Sequence, residues 1–418
     1  MSLRLKFAIL GVFTLAAYSA AISREQSLPW LIAALFSASL LTGMLWPRWL
    51  IQRLAVSRVG PERALEGETV VFSVEVENRG WLPRFMVELV DRLPFVGAAE
   101  NDPNNADKLL GSVSYVPAGG KRSFEVPLLC EKRGYYRLGP VGVASSFPLG
   151  LAETKKTTND GVQTLTIYPK VFPILVMPLF GAPSQIHRGG YLLPEGAGAA
   201  EFSGLREYRR GDNPRHVHWP TSARLNELMV KEFEPLASAC LCIALDLAKD
   251  ANIGRGKQTS LEYAIRIAAS VAGYACSQNM HSRVMGEGTA PLRIASGKGD
   301  YHYQTILDAL AVIEADGKTP YAQLLTQIAL DCVRGETVLL LLSEPPMRCE
   351  ATLQALALLR AKGAYLFAVV FDRDSFFNVG SWVNPDAGGQ PLNAGLLELG
   401  AHCVQVRRGD ELTELFNS

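Results

Sequence analysis

An arginine-rich segment near the middle of the chain has the residue types needed to bind an anion. From Arg206 to Lys231 there are six basic and three acidic residues, and a Gly211-Asp212 turn lies among them. The planar guanidinium of arginine forms two parallel hydrogen bonds with a carboxylate or a phosphate. One interpretation of the segment is therefore a guanidinium-lined site for such a group.

The alternative interpretation of this segment is structural, because charged clusters also serve as ion-pair networks within a fold. The carboxylates would then pair with the arginines, and two aromatic rings would fill a junction between domains. The residues concerned are Glu201, Glu207 and Asp212 for the carboxylates, and Tyr208 and Trp219 for the rings. We favour this structural interpretation for the acidic positions.

A glycine-rich basic loop, Gly254-Arg255-Gly256-Lys257-Gln258-Thr259, lies between a predicted strand and a predicted helix, which is where phosphate-binding loops occur. It departs from their pattern at two positions. Ala251 stands where the first glycine belongs, and Gln258 follows Lys257 where a serine or threonine is needed. These changes remove the tight turn and the metal-binding hydroxyl, so the loop is predicted to be a basic surface loop.

Other candidate ligands are too few to define a site. His216 and His218 could lie on one face of a strand, but two imidazoles without a third ligand do not make a metal site. Cys240 and Cys242 share one face of a predicted buried strand, where cysteine acts as a small apolar residue. The seven cysteines include no CxxC pair, which argues against a zinc module and a disulfide scaffold.

The composition is that of a folded protein with several domains. The 418 residues exceed one ordinary domain, and 48% are hydrophobic while 20% are charged. The formal net charge is zero, so no overall charge favours nucleic-acid binding. The first 60 residues hold six of the 41 basic residues and one of the 41 acidic residues, which leaves 35 and 40 for the remainder. The excess of basic residues at the beginning of the chain therefore needs an explanation of its own.

Two uncharged segments at that beginning predict a membrane hairpin, residues 1–50. Residues 7–23 and 27–47 contain no charged residue, and as helices they span roughly 25 and 31 Å, against a hydrocarbon core of about 30 Å. Three tryptophans, Trp30, Trp46 and Trp49, stand where interfacial aromatic residues occur. The connection between the segments is so short that the helices must be antiparallel.

The basic residues predict the orientation of this hairpin. Only Arg24 lies in the connection, whereas the others precede or follow the hairpin: Arg4, Lys6, Arg48, Arg53 and Arg58. By the positive-inside rule both termini are cytoplasmic. We therefore expect a multi-pass protein of the inner (cytoplasmic) membrane. The alternative is a cleaved signal peptide, since Ser19-Ala20-Ala21 resembles a cleavage site.

The spacing of the apolar residues divides the remainder of the chain into regions. Alternation in residues 70–78, 124–128 and 165–167 predicts strands of an antiparallel β-sandwich over residues 51–170, with no obvious chemistry of its own. Residues 171–235 form a linker and the arginine-rich segment.

The last part of the chain, residues 236–418, alternates apolar runs with helices. The runs are residues 239–247, 336–343 and 365–371, followed by a short strand near residues 402–406. Thr259 to Glu262 is a capping box that begins a helix. This order predicts an α/β domain with a mostly parallel sheet, whose ligand sites would lie at the carboxyl ends of strands.

The arginine-rich segment resembles the signature of the domain-of-unknown-function 58 family, roughly E-F-x-x-L-R-x-Y-x-x-G-D-x-x-R-x-I-x-W-x-x-S-A-R. Val217 replaces the usual isoleucine, and the upstream stretch 132–140 looks like the family's preceding strand and turn. Ser145-Ser146-Phe147-Pro148 departs from the family's Asp-Pro-Phe-Gly-like turn. The resemblance covers essentially the whole chain. The matching signature residues singled out as structural or partner-binding are Glu201, Arg206, Tyr208, Gly211, Asp212, Arg215, Trp219, Ser222 and Arg224.

The resemblance also implies a C-terminal domain similar to von Willebrand factor type A domains, a Rossmann-like fold whose metal site uses D-x-S-x-S after the first strand. Asp246 matches the aspartate, but Ala248 and Asp250 replace both serines, and Ser343-Glu344 stands where a later aspartate occurs. Asp246, Asp250 and Glu344 are thus a degenerate set for Mg²⁺. We expect no bound cofactor.

No complete catalytic constellation is visible in the sequence. We expect a non-enzymatic, membrane-anchored interaction or adaptor protein that faces the cytoplasm. The resemblance implies a MoxR-type AAA+ ATPase and other von Willebrand-type proteins as partners, and Arg209 and Arg210, outside the fixed signature positions, are the expected contacts. The alternative is an enzyme or a metal- or nucleotide-dependent switch that uses the strand-end acids and the arginine cluster.

Overall fold

The computed structural model describes residues 3–24, 27–96, 108–158, 160–177, 200–208, 217–225, 227–235, 240–343, 345–377 and 390–417. The chain divides into two units, Met1–Lys170 and Val171–Ser418. Within these described ranges, the first unit contains two apolar helices and three β-sheets, and the second contains an α/β domain.

The two uncharged segments form the helices α1 (Leu3–Arg24) and α2 (Ser27–Leu50). Both are long and apolar enough to cross a membrane, judged by length and composition. They pack against each other through the rings of Phe13 and Phe36, 6.5 Å apart, and through the hydroxyls of Tyr18 and Ser37, which are 3.0 Å apart. The predicted antiparallel helix pair is present.

The β-region of the first unit has ten strands in its described residues. They are β1 (Leu54–Val59), β2 (Arg63–Leu65), β3 (Thr69–Asn78), β4 (Arg84–Asp91), β5 (Lys108–Val116), β6 (Lys121–Leu129), β7 (Gly134–Leu138), β8 (Gly142–Ser145), β9 (Thr154–Thr157) and β10 (Gln163–Tyr168). The sheets have the orders β1-β3-β6, β2-β10-β7 and β5-β4-β8-β9. All described pairs are antiparallel except β2 with β10.

One hydrophobic core lies between these sheets. Alternate residues of β3 are buried, as the period of two predicts, and Phe72 is 1% exposed. Leu89 from β4 and Leu165 from β10 belong to the same core, so all three sheets contribute to it. The side chains of Arg58 and Asp91 form an ion pair that joins β1 to β4 and is almost fully buried.

The second unit includes an antiparallel pair of strands, β11 (Ala200–Glu207) and β12 (Met229–Pro235), with the short helix α3 (Trp219–Leu225) between them in the chain. A six-stranded sheet follows.

Its strands are β13 (Cys240–Leu245), β16 (His281–Glu287), β17 (Pro291–Gly297), β18 (Thr337–Leu342), β19 (Tyr365–Phe371) and β20 (His402–Val406), in the order β17-β16-β13-β18-β19-β20. Five strands are parallel, and β17 is antiparallel at one edge. All six residues of β18 are buried, as expected for a strand covered on both faces.

The remaining described elements of this unit are a two-stranded ribbon, seven α-helices and a 3₁₀ turn. The ribbon is β14 (Gly254–Arg255) with β15 (Gln258–Thr259). The helical elements are α4 (Ser260–Ser277), α5 (Asp300–Val312), α6 (Tyr321–Asp331), the 3₁₀ turn Pro346–Arg348, α7 (Cys349–Ala361), α8 (Arg373–Phe377), α9 (Gln390–Glu398) and α10 (Leu412–Leu415).

Helix α4 begins as the capping box predicts. The hydroxyl of Thr259 accepts a hydrogen bond from the backbone N–H of Glu262 at 3.2 Å. Helices α6, α7 and α9 share a core with one face of the sheet, which includes Ala244 and Leu340. The α/β domain is therefore present. The carboxyl ends of its parallel strands bring residues from widely separated positions in the chain to the same end of the sheet.

Candidate functional site

The signature segment begins on β11. Glu201 and Arg206 lie in this strand, opposite Glu234 and Val230 of β12. The backbone N–H of Tyr208 donates to the carbonyl of Leu228 at 2.8 Å, which continues the pairing beyond the strand. Gly211, Asp212 and Arg215, together with Arg209 and Arg210, lie outside the described residues.

Helix α3 is joined to β12 by Ser222, a signature residue that is 7% exposed. Its hydroxyl donates to the carbonyl of His218 at 3.0 Å and accepts from the backbone N–H of Met229 at 2.8 Å. The imidazole Nδ1 of His218 lies 2.9 Å from the hydroxyl of Thr221. In this part of the signature, the polar side chains serve local structure.

Trp219 and Arg224 lie on the outside of the same helix. Trp219 is 65% exposed, and Arg224 is exposed as well. The role of Trp219 in filling a domain junction stays a prediction, and within the described residues its ring lies on the surface. The sequence pattern could not distinguish the two roles, since a tryptophan at a helix start suits a junction and a contact surface equally well.

The acids at the carboxyl end of β13 have protein partners. The Oδ1 atom of Asp246 accepts a hydrogen bond from the backbone N–H of Ala248 at 3.0 Å. The two carboxylate oxygens of Asp250 receive the two terminal nitrogens of Arg348, Nη2 to Oδ2 at 2.6 Å and Nη1 to Oδ1 at 3.2 Å. This is the paired-fork geometry that arginine and carboxylate prefer.

The residue after β18 is also bonded internally. The hydroxyl of Ser343 donates to the carbonyl of Ala251 at 2.7 Å, and its own carbonyl accepts from Arg373. The other terminal nitrogen of Arg373 lies 3.5 Å from the carbonyl of Asp250. Glu344 lies outside the described residues. Among the residues that the structure describes, there is no group of three or more His, Cys, Asp or Glu side chains placed to hold a metal ion.

The glycine-rich basic loop is the β14–β15 ribbon. Gly254 pairs with Thr259 and Arg255 with Gln258, and Gly254 has a φ of 102° that a residue with a side chain rarely adopts. The side-chain oxygen of Gln258 accepts from Nε of Arg408 at 2.6 Å. The pairing gives the loop a hairpin shape in front of α4, with Arg255 exposed, which agrees with a basic surface loop and not with a phosphate cradle.

Two buried ion pairs were missed by the sequence reasoning, Arg58 with Asp91 in the β-region and Arg283 with Glu336 in the α/β domain. Arg283 of β16 makes two hydrogen bonds to Glu336, at 2.7 and 2.9 Å, and Glu336 is 4% exposed. Cys242 lies opposite Arg283 in the neighbouring strand, and burial raises the pKa of this thiol to about 12. Cys242 therefore stays neutral and acts as an apolar core residue.

The comparisons with known proteins concern the same region. Residues 204–345 match the family model described as "Protein of unknown function DUF58". The uncharacterized protein YeaD of Bacillus subtilis (strain 168) is 24% identical over 328 residues, which are 76% of this chain and 77% of that protein.

Solved structures give much weaker similarity. The CARDB domain of a Pyrococcus furiosus protein, crystallised in complex with di-metal ions, aligns with 27% of this chain and 91% of its own at 14% identity and a TM-score of 0.20. Proximal thread matrix protein 1 from the mussel byssus aligns with 43% of this chain and 46% of its own at 11% identity and a TM-score of 0.29. TM-scores of this size do not show a shared fold or function.

Proposed function

Because this chain belongs to the DUF58 family through residues 204–345, we propose that it is a membrane-anchored interaction protein that acts as an adaptor and not as an enzyme. Its anchor is the pair of helices α1 and α2, and its interaction surface is in the second unit. The proposal includes the inner (cytoplasmic) membrane as its location.

Two properties of the anchor support this location. Both helices are long and apolar enough to cross a membrane. Arg48, Arg53 and Arg58 follow the second helix, and only Arg24 is available in the connection between the helices. Basic residues next to membrane helices stay on the cytoplasmic side. We therefore assign both termini to the cytoplasm and the connection to the outside.

The finer fold assignments are part of the proposal. The three sheets of the first unit share one core, which supports a β-sandwich. In the second unit, five parallel strands alternate with helices, and Asp246 follows β13 in the middle of the sheet. These features support a von Willebrand factor type A-like domain.

The observation that carries the proposal is the pairing of Asp250 with Arg348. In a metal-dependent domain of this kind, the position of Asp250 would hold a hydroxyl ligand on an open edge. Here both carboxylate oxygens receive an arginine at 2.6 and 3.2 Å. The nearby hydroxyl of Ser343 donates to the carbonyl of Ala251. Side chains held in this way support an interaction domain that works without a metal ion.

The partner that we propose is a MoxR-type AAA+ ATPase, by family resemblance, with a von Willebrand-type protein as a further member of the complex. Arg209 and Arg210 are the proposed contacts, since guanidinium groups recognise carboxylates on a protein surface. The matching chemistry on the ATPase is an acidic patch.

The experiment is capture of the purified ATPase by the full-length protein in detergent. Arg209→Ala combined with Arg210→Ala should abolish capture, while the control Arg255→Ala, which removes an exposed arginine from the β14–β15 ribbon, should leave it unchanged. Absence of capture by the unmodified protein, or undiminished capture by the double variant, would contradict the proposal.

A second arm tests the alternative, a metal- or nucleotide-dependent switch. Titration calorimetry of the full-length protein with Mg²⁺ and with nucleotides should give no heat of binding. Binding that is lost in Asp246→Ala would favour the switch.

A further inference from the structure

The loop between β8 and β9 is apolar and partly exposed. Its sequence includes Phe147-Pro148-Leu149-Gly150-Leu151, and no charged residue occurs from Leu138 to Ala152. Leu149 is 48% exposed. An exposed leucine at the tip of an uncharged loop would be ordinary by itself, so its surroundings decide what it does.

This loop lies directly against α2. A Cβ atom built on Gly43 would come within 2.7 Å of Cδ1 of Leu151, so the leucine side chain occupies the space that a side chain at position 43 would need. Gly43 and Pro47 are buried, whereas Leu45, between them in sequence, is 57% exposed. The loop thus contacts α2 at Gly43, and Leu45 lies on a part of the helix that remains open.

The position of Gly43 along α2 gives the depth of this contact. The helix has 24 residues, which as a helix span about 36 Å, against a hydrocarbon core of about 30 Å. Counted from Ser27, about 20 residues reach Trp46, so Trp46 and Trp49 mark the interface. Gly43 lies roughly 4–5 Å closer to the bilayer centre than Trp46. Leu151 is therefore at the level of the lipid chains.

The end of the four-stranded sheet that carries this loop holds further apolar groups. The ring of Phe85 lies 6.1 Å from that of Phe147 and 5.4 Å from that of Tyr115. Tyr115 is 44% exposed and Met86 is 47% exposed. Residues 147–151 together with Phe85 and Tyr115 form an apolar rim beside α2.

Arg84 fixes this end of the sheet to the helix. Its guanidinium carbon lies 4.1 Å from the centre of the Trp49 ring, and the side chain is buried. Because Arg84 precedes Phe85 in β4, the cation–π contact holds the apolar rim at the level of the interfacial tryptophans.

We propose that the apolar rim inserts into the lipid bilayer beside α2. The proposal rests on the membrane anchoring proposed above. The occupant is lipid, because the contact of Leu151 with Gly43 brings the rim to the depth of the acyl chains on the same leaflet. The aromatic rings and Leu149 then face the boundary between headgroups and chains, where such side chains are most favourable.

The experiment is photo-crosslinking of the full-length protein in phosphatidylcholine–phosphatidylglycerol liposomes. p-Benzoylphenylalanine replaces Leu149 in one variant, and mass spectrometry reads out a covalent phospholipid adduct. The matched control is Leu65, which is also 48% exposed but lies in β2 of another sheet. A second site, Leu35 in the middle of α2, reports on the anchor itself.

The inference predicts a lipid adduct at Leu149 and at Leu35, and none at Leu65. An adduct at Leu35 with none at Leu149 would overturn the inference while leaving the anchor in place. Equal adducts at Leu149 and Leu65 would also overturn it, because the reaction would then report general contact with liposomes. No adduct at Leu35 would overturn the anchor and the inference together.

Discussion

Arg58 and Asp91 form an ion pair in the core of the β-region, with side chains that are 1% and 3% exposed. The guanidinium carbon of Arg58 also lies 5.9 Å from the centre of the Phe72 ring. Replacing a buried pair with apolar residues is often neutral, but removing one partner leaves the other charge without compensation. The pair therefore serves mainly to hold the two sheets in one arrangement. Its net contribution to the free energy of unfolding is small.

Asp91→Ala should lower the stability of the full-length protein in detergent strongly. The expected loss is on the order of 3–5 kcal/mol, since Arg58 would stay buried without its carboxylate. Denaturant unfolding would measure it. The control is Glu75→Ala, which removes an exposed pair with Lys121 and should shift the midpoint little. Equal shifts for the two variants would contradict this account of the pair.

Asp212 and Arg215 allow the same reasoning for the signature, although both lie outside the described residues. If Asp212 neutralises the arginines around it, Asp212→Ala and Arg215→Ala should each cost on the order of 3–5 kcal/mol in denaturant unfolding. Arg209→Ala and Arg210→Ala should leave the midpoint unchanged and affect partner capture alone. An unchanged midpoint for both Asp212→Ala and Arg215→Ala would defeat the structural interpretation.

At the scale of elements, the strands that were predicted correctly are those whose own sequence decides their position. β19 (Tyr365–Phe371) and β20 (His402–Val406) have the predicted bounds. For β19 the reason is that a short apolar run can be buried on both faces only within a covered sheet. The alternation in β3 likewise predicted its buried face. Local patterns of this kind need no knowledge of the rest of the chain.

The elements that were not predicted depend on distant partners. β16 carries Arg283, which interrupts its apolar pattern, and its partner Glu336 lies far along the chain. The contact of Gly43 with Leu151 joins helix α2 to the loop between β8 and β9. A single sequence contains no signal that connects such positions, so neither the ion pair nor the apolar rim could be predicted from it.

The end of the α/β sheet at which Asp250 pairs with Arg348 gives a prediction at this scale. Arg348→Ala releases the carboxylate of Asp250 but supplies none of the missing hydroxyl ligands, so it should not create tight Mg²⁺ binding. Arg348→Ala combined with Ala248→Ser and Asp250→Ser should improve binding if this end of the sheet keeps its geometry. Calorimetry on these variants and on the unmodified protein would measure it. Micromolar Mg²⁺ binding by the unmodified protein would show that this end of the sheet works as a metal site.

At the scale of the whole molecule, charge and hydropathy act together. The six basic residues and one acidic residue of the first 60 residues surround the two apolar helices, while the remainder carries a small acidic excess. The basic residues that precede and follow the helices support the cytoplasmic location proposed above for both termini. The exposed apolar rim beside α2 fits the same arrangement, since it would be unfavourable in water and is favourable at a lipid interface.

Membrane topology tests the central claim, a membrane-anchored protein whose interaction domain faces the cytoplasm, most directly. The measurement uses a reporter that is active only outside the cytoplasm, fused after Ser418 in one variant and inserted after Arg24 in a second variant. The account predicts an inactive reporter after Ser418 and an active one after Arg24. An active reporter after Ser418 would contradict the cytoplasmic location of the second unit and, with it, the proposed partnership with a cytoplasmic ATPase.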